Sequence, residues 1–154
     1  MRKGVLRVVD QQLVEQRWGA ARRFLAKDPA SCSRGVEIAA VTEDAVEVVF
    51  VIGEDDANGV GIAHGGLSYF LADTAVGIAA NLGNVTNVTS SATITYLAAG
   101  PLGDKLRAVC TGPIASAGRT SVYSTTVSRS DGQLIVVVQS TMMALGRPRH
   151  ESES

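Results

Sequence analysis

Aromatic side chains are scarce, at 5% of 154 residues, so composition gives no cue for an aryl over an aliphatic ligand. Cysteine is sparse too: Cys32 and Cys110 lack metal-ligand spacing and build no disulfide framework, which leaves buried or free thiols. Neither sign of charge dominates. The 14 basic and 15 acidic residues are intermingled for a net charge of -1, with no electrostatic footprint for nucleic acid or an anionic membrane. The longest apolar run, Leu67 to Leu82, falls short of the ~20 residues of a membrane span and is interrupted by Asp73 and Asn81. At the amino terminus, MRKGVLRVVDQQ has its apolar stretch broken by Arg7, so a secretory core is missing and a cytoplasmic location is expected.

What remains is a hydrophobic content of 45%, enough for one core in a chain too short for two ordinary domains. The expected organisation is one domain over 1–146 and a flexible polar tail over 147–154. Asp10 can cap a helix whose apolar positions Leu13, Val14, Trp18, Ala21, Phe24 and Leu25 recur at helical spacing, ending before Pro29. That is an amphipathic covering helix. The segment VEIAAVTEDAVEVVFVI, 36–52, alternates around a Thr-Glu-Asp turn and predicts a hairpin. A Gly-rich loop, GEDDANGVGIA, leads to His64-Gly65-Gly66 and a long apolar helix that should end near Gly83. Four strand-like segments follow, separated by the turn-rich AGPLGD, AGR and DGQ. The order is that of an α+β domain, an antiparallel sheet wrapped around one central helix.

The central helix carries a single charge, Asp73. Gly66, Phe70, Gly77 and Ala80 share its face, whereas Leu67, Leu71, Thr74, Ile78 and Leu82 form the opposing stripe. Small residues on the Asp face would let a second helix come close. Burying an unpaired carboxylate costs several kcal/mol in effect, so a retained one points either to local hydrogen bonds or to chemistry. Spacing alone does not separate the two. His64-Gly65-Gly66 adds weight to chemistry, because glycines at a helix start expose free amides at the positive helix end, suited to an oxygen gaining negative charge. A turn with a structural histidine would use the same residues.

Eight residues separate Gly65 from Asp73, which is ~12 Å along one helix at the helical rise. An attacking oxygen and an oxyanion donor must both lie within ~3 Å of the reacting centre. If they cooperate, they must come from different subunits, with two helices antiparallel across a twofold axis and two equivalent sites.

Asn58, Gly59, Gly61, His64, Gly65, Gly66, Phe70, Leu71, Ala72 and Asp73, with ATITYLAAGPLGDKLRA, Gly118-Arg119-Thr120 and Asp131-Gly132 further on, form a pattern over residues 35 to 145. It resembles the hotdog-fold acyl-CoA thioesterases, in particular the PaaI-like branch. The resemblance implies Asp73 as nucleophile or base for water and the Gly65 amide on the thioester oxygen. It implies Asn58 and His64 ordering the loop and the polar end of the site, with a hydroxyl from the strand after the helix assisting. Thr89, Ser90 and Ser91 compete for that last role; strict alternation would put Thr89 and Ser91 on one face, and Thr89 is favoured. Gly66, Phe70 and Ser91 would line the substrate site. Gly118, Arg119 and Thr120 would approach the nucleotide and pantetheine of coenzyme A. No metal or other cofactor is needed, coenzyme A being part of the substrate. The implied assembly is a homodimer with shared sites, or a dimer of dimers. The competing readings are a hydratase or dehydratase pairing His64 with an acid, and a non-catalytic acyl-CoA sensor, for which no DNA-binding extension precedes residue 35.

Overall fold

The computed structural model describes residues 10–148; the expectations for the first nine residues and for 149–154 lie outside it. Helix α1, Gln11–Ala26, starts where Asp10 accepts a hydrogen bond from the Leu13 amide, so the predicted cap is in place. Its Ala20 and Ala21 are buried, and Trp18, Phe24 and Leu25 pack on the core. Pro29 does more than close this helix. It opens a second one, α2, Pro29–Ser33, capped by Asp28, because proline suits a first turn whose amide has no helical partner.

The hairpin forms as β1, Glu37–Val41, and β2, Ala45–Val51. Helix α3, Gly65–Ala80, is followed by β3, Val85–Tyr96, β4, Lys105–Ala117, β5, Thr120–Ser128, and β6, Leu134–Pro148. The last strand thus runs two residues past the expected domain boundary. The six strands form one antiparallel sheet in the order β1-β2-β4-β5-β6-β3. This leaves β1 and β3 as its edges.

Helix α3 lies on the sheet and touches β2 to β6. Its Leu71, Ala72, Ala75, Val76 and Ile78 are fully buried among Val46, Val48, Leu106, Ala108, Val127 and Val138. Each large side chain so buried stabilises the fold by about 1.5–3 kcal/mol. The helix ends at Asn81, short of Gly83, because the Asn81 amide group turns to bond the carbonyls of Gly77 and Asn87 and accepts the Asn87 amide. That exchange ties the helix end to the start of β3. Among the described residues, no helix is long and apolar enough to cross a membrane.

Candidate active site

Most of α3 is buried; Leu67 and Ala79 are half-buried, and one continuous stripe is open. Gly66 is exposed and Tyr69, Phe70, Asp73 and Gly77 are half-buried, positions that fall within about 100° of one another around a helix. Asp73 therefore sits on the open face, opposite the buried Leu71, Thr74 and Ile78, as its spacing predicts. The close approach that Gly77 permits is already taken up within the chain: a side chain there would meet the Phe24 ring of α1 at 3.7 Å. On the same flank Thr74 shares a 3.0 Å hydroxyl contact with Ser31 of α2, and the Arg34 guanidinium lies 5.8 Å over the Phe70 ring.

The other flank faces β3. Thr89 donates its hydroxyl proton to Asp73 Oδ1 at 2.9 Å, and also approaches Met142 Sδ at 3.4 Å. Ser90 instead bonds the Thr141 carbonyl and is exposed. The expectation that Ser91 shares a face with Thr89 is wrong. Thr89 stands opposite Met142 but Ser91 stands opposite Thr141, so one extra residue has entered β3. This bulge reverses the alternation, turning Ser91 outward and Ala92 inward opposite the buried Ser140.

At the helix start His64 is the cap, its Nδ1 accepting the Gly66 amide at 3.0 Å. Asn58 Oδ1 accepts the amides of Val60 and Ile62, holding the loop that delivers His64. The Gly65 amide donates to no group among the described residues, whereas its carbonyl accepts the Tyr96 hydroxyl at 3.0 Å. Both glycines have steric reasons. A methyl group on Gly65 would stand 3.1 Å from the Tyr96 ring, and one on Gly66 3.0 Å from His64 Nδ1.

Tyr69 and Tyr96 are the residues that sequence reasoning missed. Burial, then the nearby charge of Asp73, push the Tyr69 phenol above its ordinary range. Its position four residues before Asp73 was a readable signal; nothing in the sequence placed Tyr96 over Gly65. The Gly118-Arg119-Thr120 turn, with Gly118 at φ +58°, docks through the Arg119 carbonyl on the Ala144 amide at 2.8 Å. Thr120 pairs with Met143, which pairs with Val88 on its other side, so the turn lies about 10 Å from β3 near Thr89. Among the described residues, no three His, Cys, Asp or Glu side chains are grouped as metal ligands would be.

Residues 60–142 match the model of the thioesterase superfamily, a span that includes Gly65, Asp73 and Thr89. The chain belongs to that superfamily. An Escherichia coli acyl-coenzyme A thioesterase, PaaI, is 27% identical over 130 residues, covering 84% of this chain and 91% of that one. The solved structure of the E. coli PaaI protein from the phenylacetic acid degradation operon superposes with a TM-score of 0.83 at 25% identity, covering 88% and 98% of the two chains. A Streptococcus mutans protein bound to acetyl CoA gives a TM-score of 0.69 at 25% identity, covering 75% and 92%. The fold is thus the hotdog fold of PaaI-like thioesterases, as the resemblance implied, and the protein is a thioester hydrolase.

Proposed function

We propose that this thioesterase hydrolyses an acyl-coenzyme A to the free acid and coenzyme A, with Asp73 as the nucleophile or as the base that activates water. The observation that carries this reading is the 2.9 Å bond from Thr89 to Asp73 on the open stripe of α3. The bond orients a carboxylate that solvent and substrate can reach. The acetyl CoA and coenzyme A held by streptococcal relatives at 25% identity support the leaving group.

The amide that polarises the thioester carbonyl is that of Gly65, at the positive end of α3 with no acceptor of its own among the described residues. It comes from a second subunit, because Gly65 and Asp73 lie on one unbroken helix about 12 Å apart. Support for a homodimer comes from the sheet edge. Among the described residues, strand β3 leaves its outer side unpaired over 12 residues, with Val88 43% and Tyr96 52% exposed, a surface that monomeric proteins normally cover or charge. Asn58 and His64 hold the glycine loop, Gly66 and Phe70 border the approach to Asp73, and Gly118, Arg119 and Thr120 receive the coenzyme A portion. Pairing of dimers and a cytoplasmic setting belong to the same proposal.

The test is a panel of acyl-CoA esters assayed for released thiol with the wild type and Asp73→Asn. At least one ester should be turned over by the wild type, with kcat falling about 10²–10⁴-fold in the variant at unchanged oligomer size. Wild-type turnover by Asp73→Asn overturns the assignment.

A further inference from the structure

The backbone between the amides of His64 and Gly66 can be accounted for group by group. The His64 amide donates to the Asp56 carbonyl at 2.9 Å, and the His64 carbonyl accepts the Leu67 amide at 2.9 Å. Two side chains then hold the Gly65–Gly66 peptide at both ends. Its N–H, on Gly66, goes to His64 Nδ1 at 3.0 Å, and its carbonyl, on Gly65, accepts the Tyr96 hydroxyl at 3.0 Å. Of these five groups only the Gly65 amide has no acceptor among the described residues.

Tyr96 also confines Gly65 by contact, its ring standing 3.1–3.3 Å from where a Cβ would lie. The restraint matters because glycine reaches backbone torsions closed to other residues, and an amide free to swing is a poor oxyanion donor. Tyr96 is the last residue of β3 and pairs with Val136 of β6. The helix start is thereby referred to the sheet, not only to the Gly-rich loop that precedes it.

We propose that Tyr96 is a positioning residue of the thioesterase reaction: its hydroxyl on the Gly65 carbonyl and His64 on the Gly66 amide clamp the Gly65–Gly66 peptide, and so aim the Gly65 amide at the thioester oxygen. The inference rests on the reading of that amide as the oxyanion donor. It assigns Tyr96 to the site that its own chain serves with Gly65, and not to the site that its own chain serves with Asp73.

Tyr96→Phe keeps the ring and deletes the donor at a side chain outside the buried core. With the best acyl-CoA ester of the panel, kcat should fall about 3–10-fold while KM stays within about twofold, the range for one lost hydrogen bond. An unchanged kcat overturns the proposal. Mixed dimers of Asp73→Asn chains and Gly65→Pro chains separate positioning from a general structural role, because their one intact site takes Gly65 from the first chain and Asp73 from the second. Tyr96→Phe on the Asp73→Asn chain should lower the recovered activity by the factor seen in the homodimer. On the Gly65→Pro chain the same substitution falls in the site already lacking its amide, and the loss should be smaller than about twofold. Equal losses from the two placements, or a larger loss from the second, overturn the proposal. Mixed dimers inactive before Tyr96→Phe is introduced would instead overturn the two-subunit reading, an outcome distinct from active mixed dimers in which the placement makes no difference.

Discussion

Gly65→Pro deletes the amide to which the oxyanion role is assigned. Position 65 is the first of α3, where a proline fits because the missing N–H has no helical acceptor. The preceding His64, at φ -62° and ψ 128°, already has the extended backbone that a following proline demands. Crowding remains, since any Cβ meets the Tyr96 ring at 3.1–3.3 Å. Gly65→Ala is therefore the matched control: it suffers the same crowding but keeps the amide. Tyr96 is 52% exposed and can swing outward, at the loss of its bond to the Gly65 carbonyl, so both variants should lose about 1 kcal/mol of stability. For a chain of this size that is a fall in Tm of about 2–4 °C. Turnover should separate them. Removing one oxyanion donor costs about 10²–10³ in kcat, or about 2.7–4 kcal/mol of transition-state stabilisation, so Gly65→Pro should trail Gly65→Ala by that factor in a thiol-release assay. Equal kcat values in two folded variants would refute the role of the amide.

Thr89→Val removes the hydroxyl on Asp73 Oδ1 at nearly constant shape and should lower kcat/KM about 10–100-fold, with Thr89→Ser restoring most of it; an unaffected Thr89→Val would show the bond to be structural only. His64→Ala loses the cap on the Gly66 amide and should destabilise the protein by about 0.5–2 kcal/mol in urea denaturation. A variant as stable as wild type would count against the capping role. Burial raises the Cys110 thiol from 9.0 to about 11, so near neutral pH a thiol reagent should consume one equivalent, at the exposed Cys32, until the protein is unfolded. The folded form holds the Cys110 proton more tightly than the unfolded chain, so this contribution to stability is complete below about pH 9 and is lost as pH rises through about 11. Stability rising over that window would contradict the burial.

Much of the fold was legible because local and global signals agree. Alternation over 36–52, the Asp10 cap and the unbroken apolar run after His64 each dictate an element, and the chain places them in the expected order. The departures have local causes. Pro29 can stop one helix and start another, and only the Asp28 cap with the Ser31–Thr74 contact decides for the second. The bulge in β3 leaves no mark in a run of Thr-Ser-Ser, so a strict period of two assigned Ser91 to the wrong face. The helix-start glycines were read for a ligand and the small residues of the Asp73 face for a second helix, but Gly65, Gly66 and Gly77 each face a side chain of their own chain. Tyr96 over Gly65 joins a strand end to a helix start 31 residues away, a tertiary contact that no spacing rule reaches.

In the proposed dimer one α3 helix contributes to two different active sites, Asp73 to one and Gly65 to the other. Mixing Asp73→Asn chains with Gly65→Pro chains tests it most directly. If the sites are shared across a twofold axis, each mixed dimer carries one site with both groups intact. Random pairing in a 1:1 mixture makes half the dimers mixed, so activity should return to about a quarter of the wild-type value. Verified mixed dimers with no more activity than the two variants alone would contradict the account.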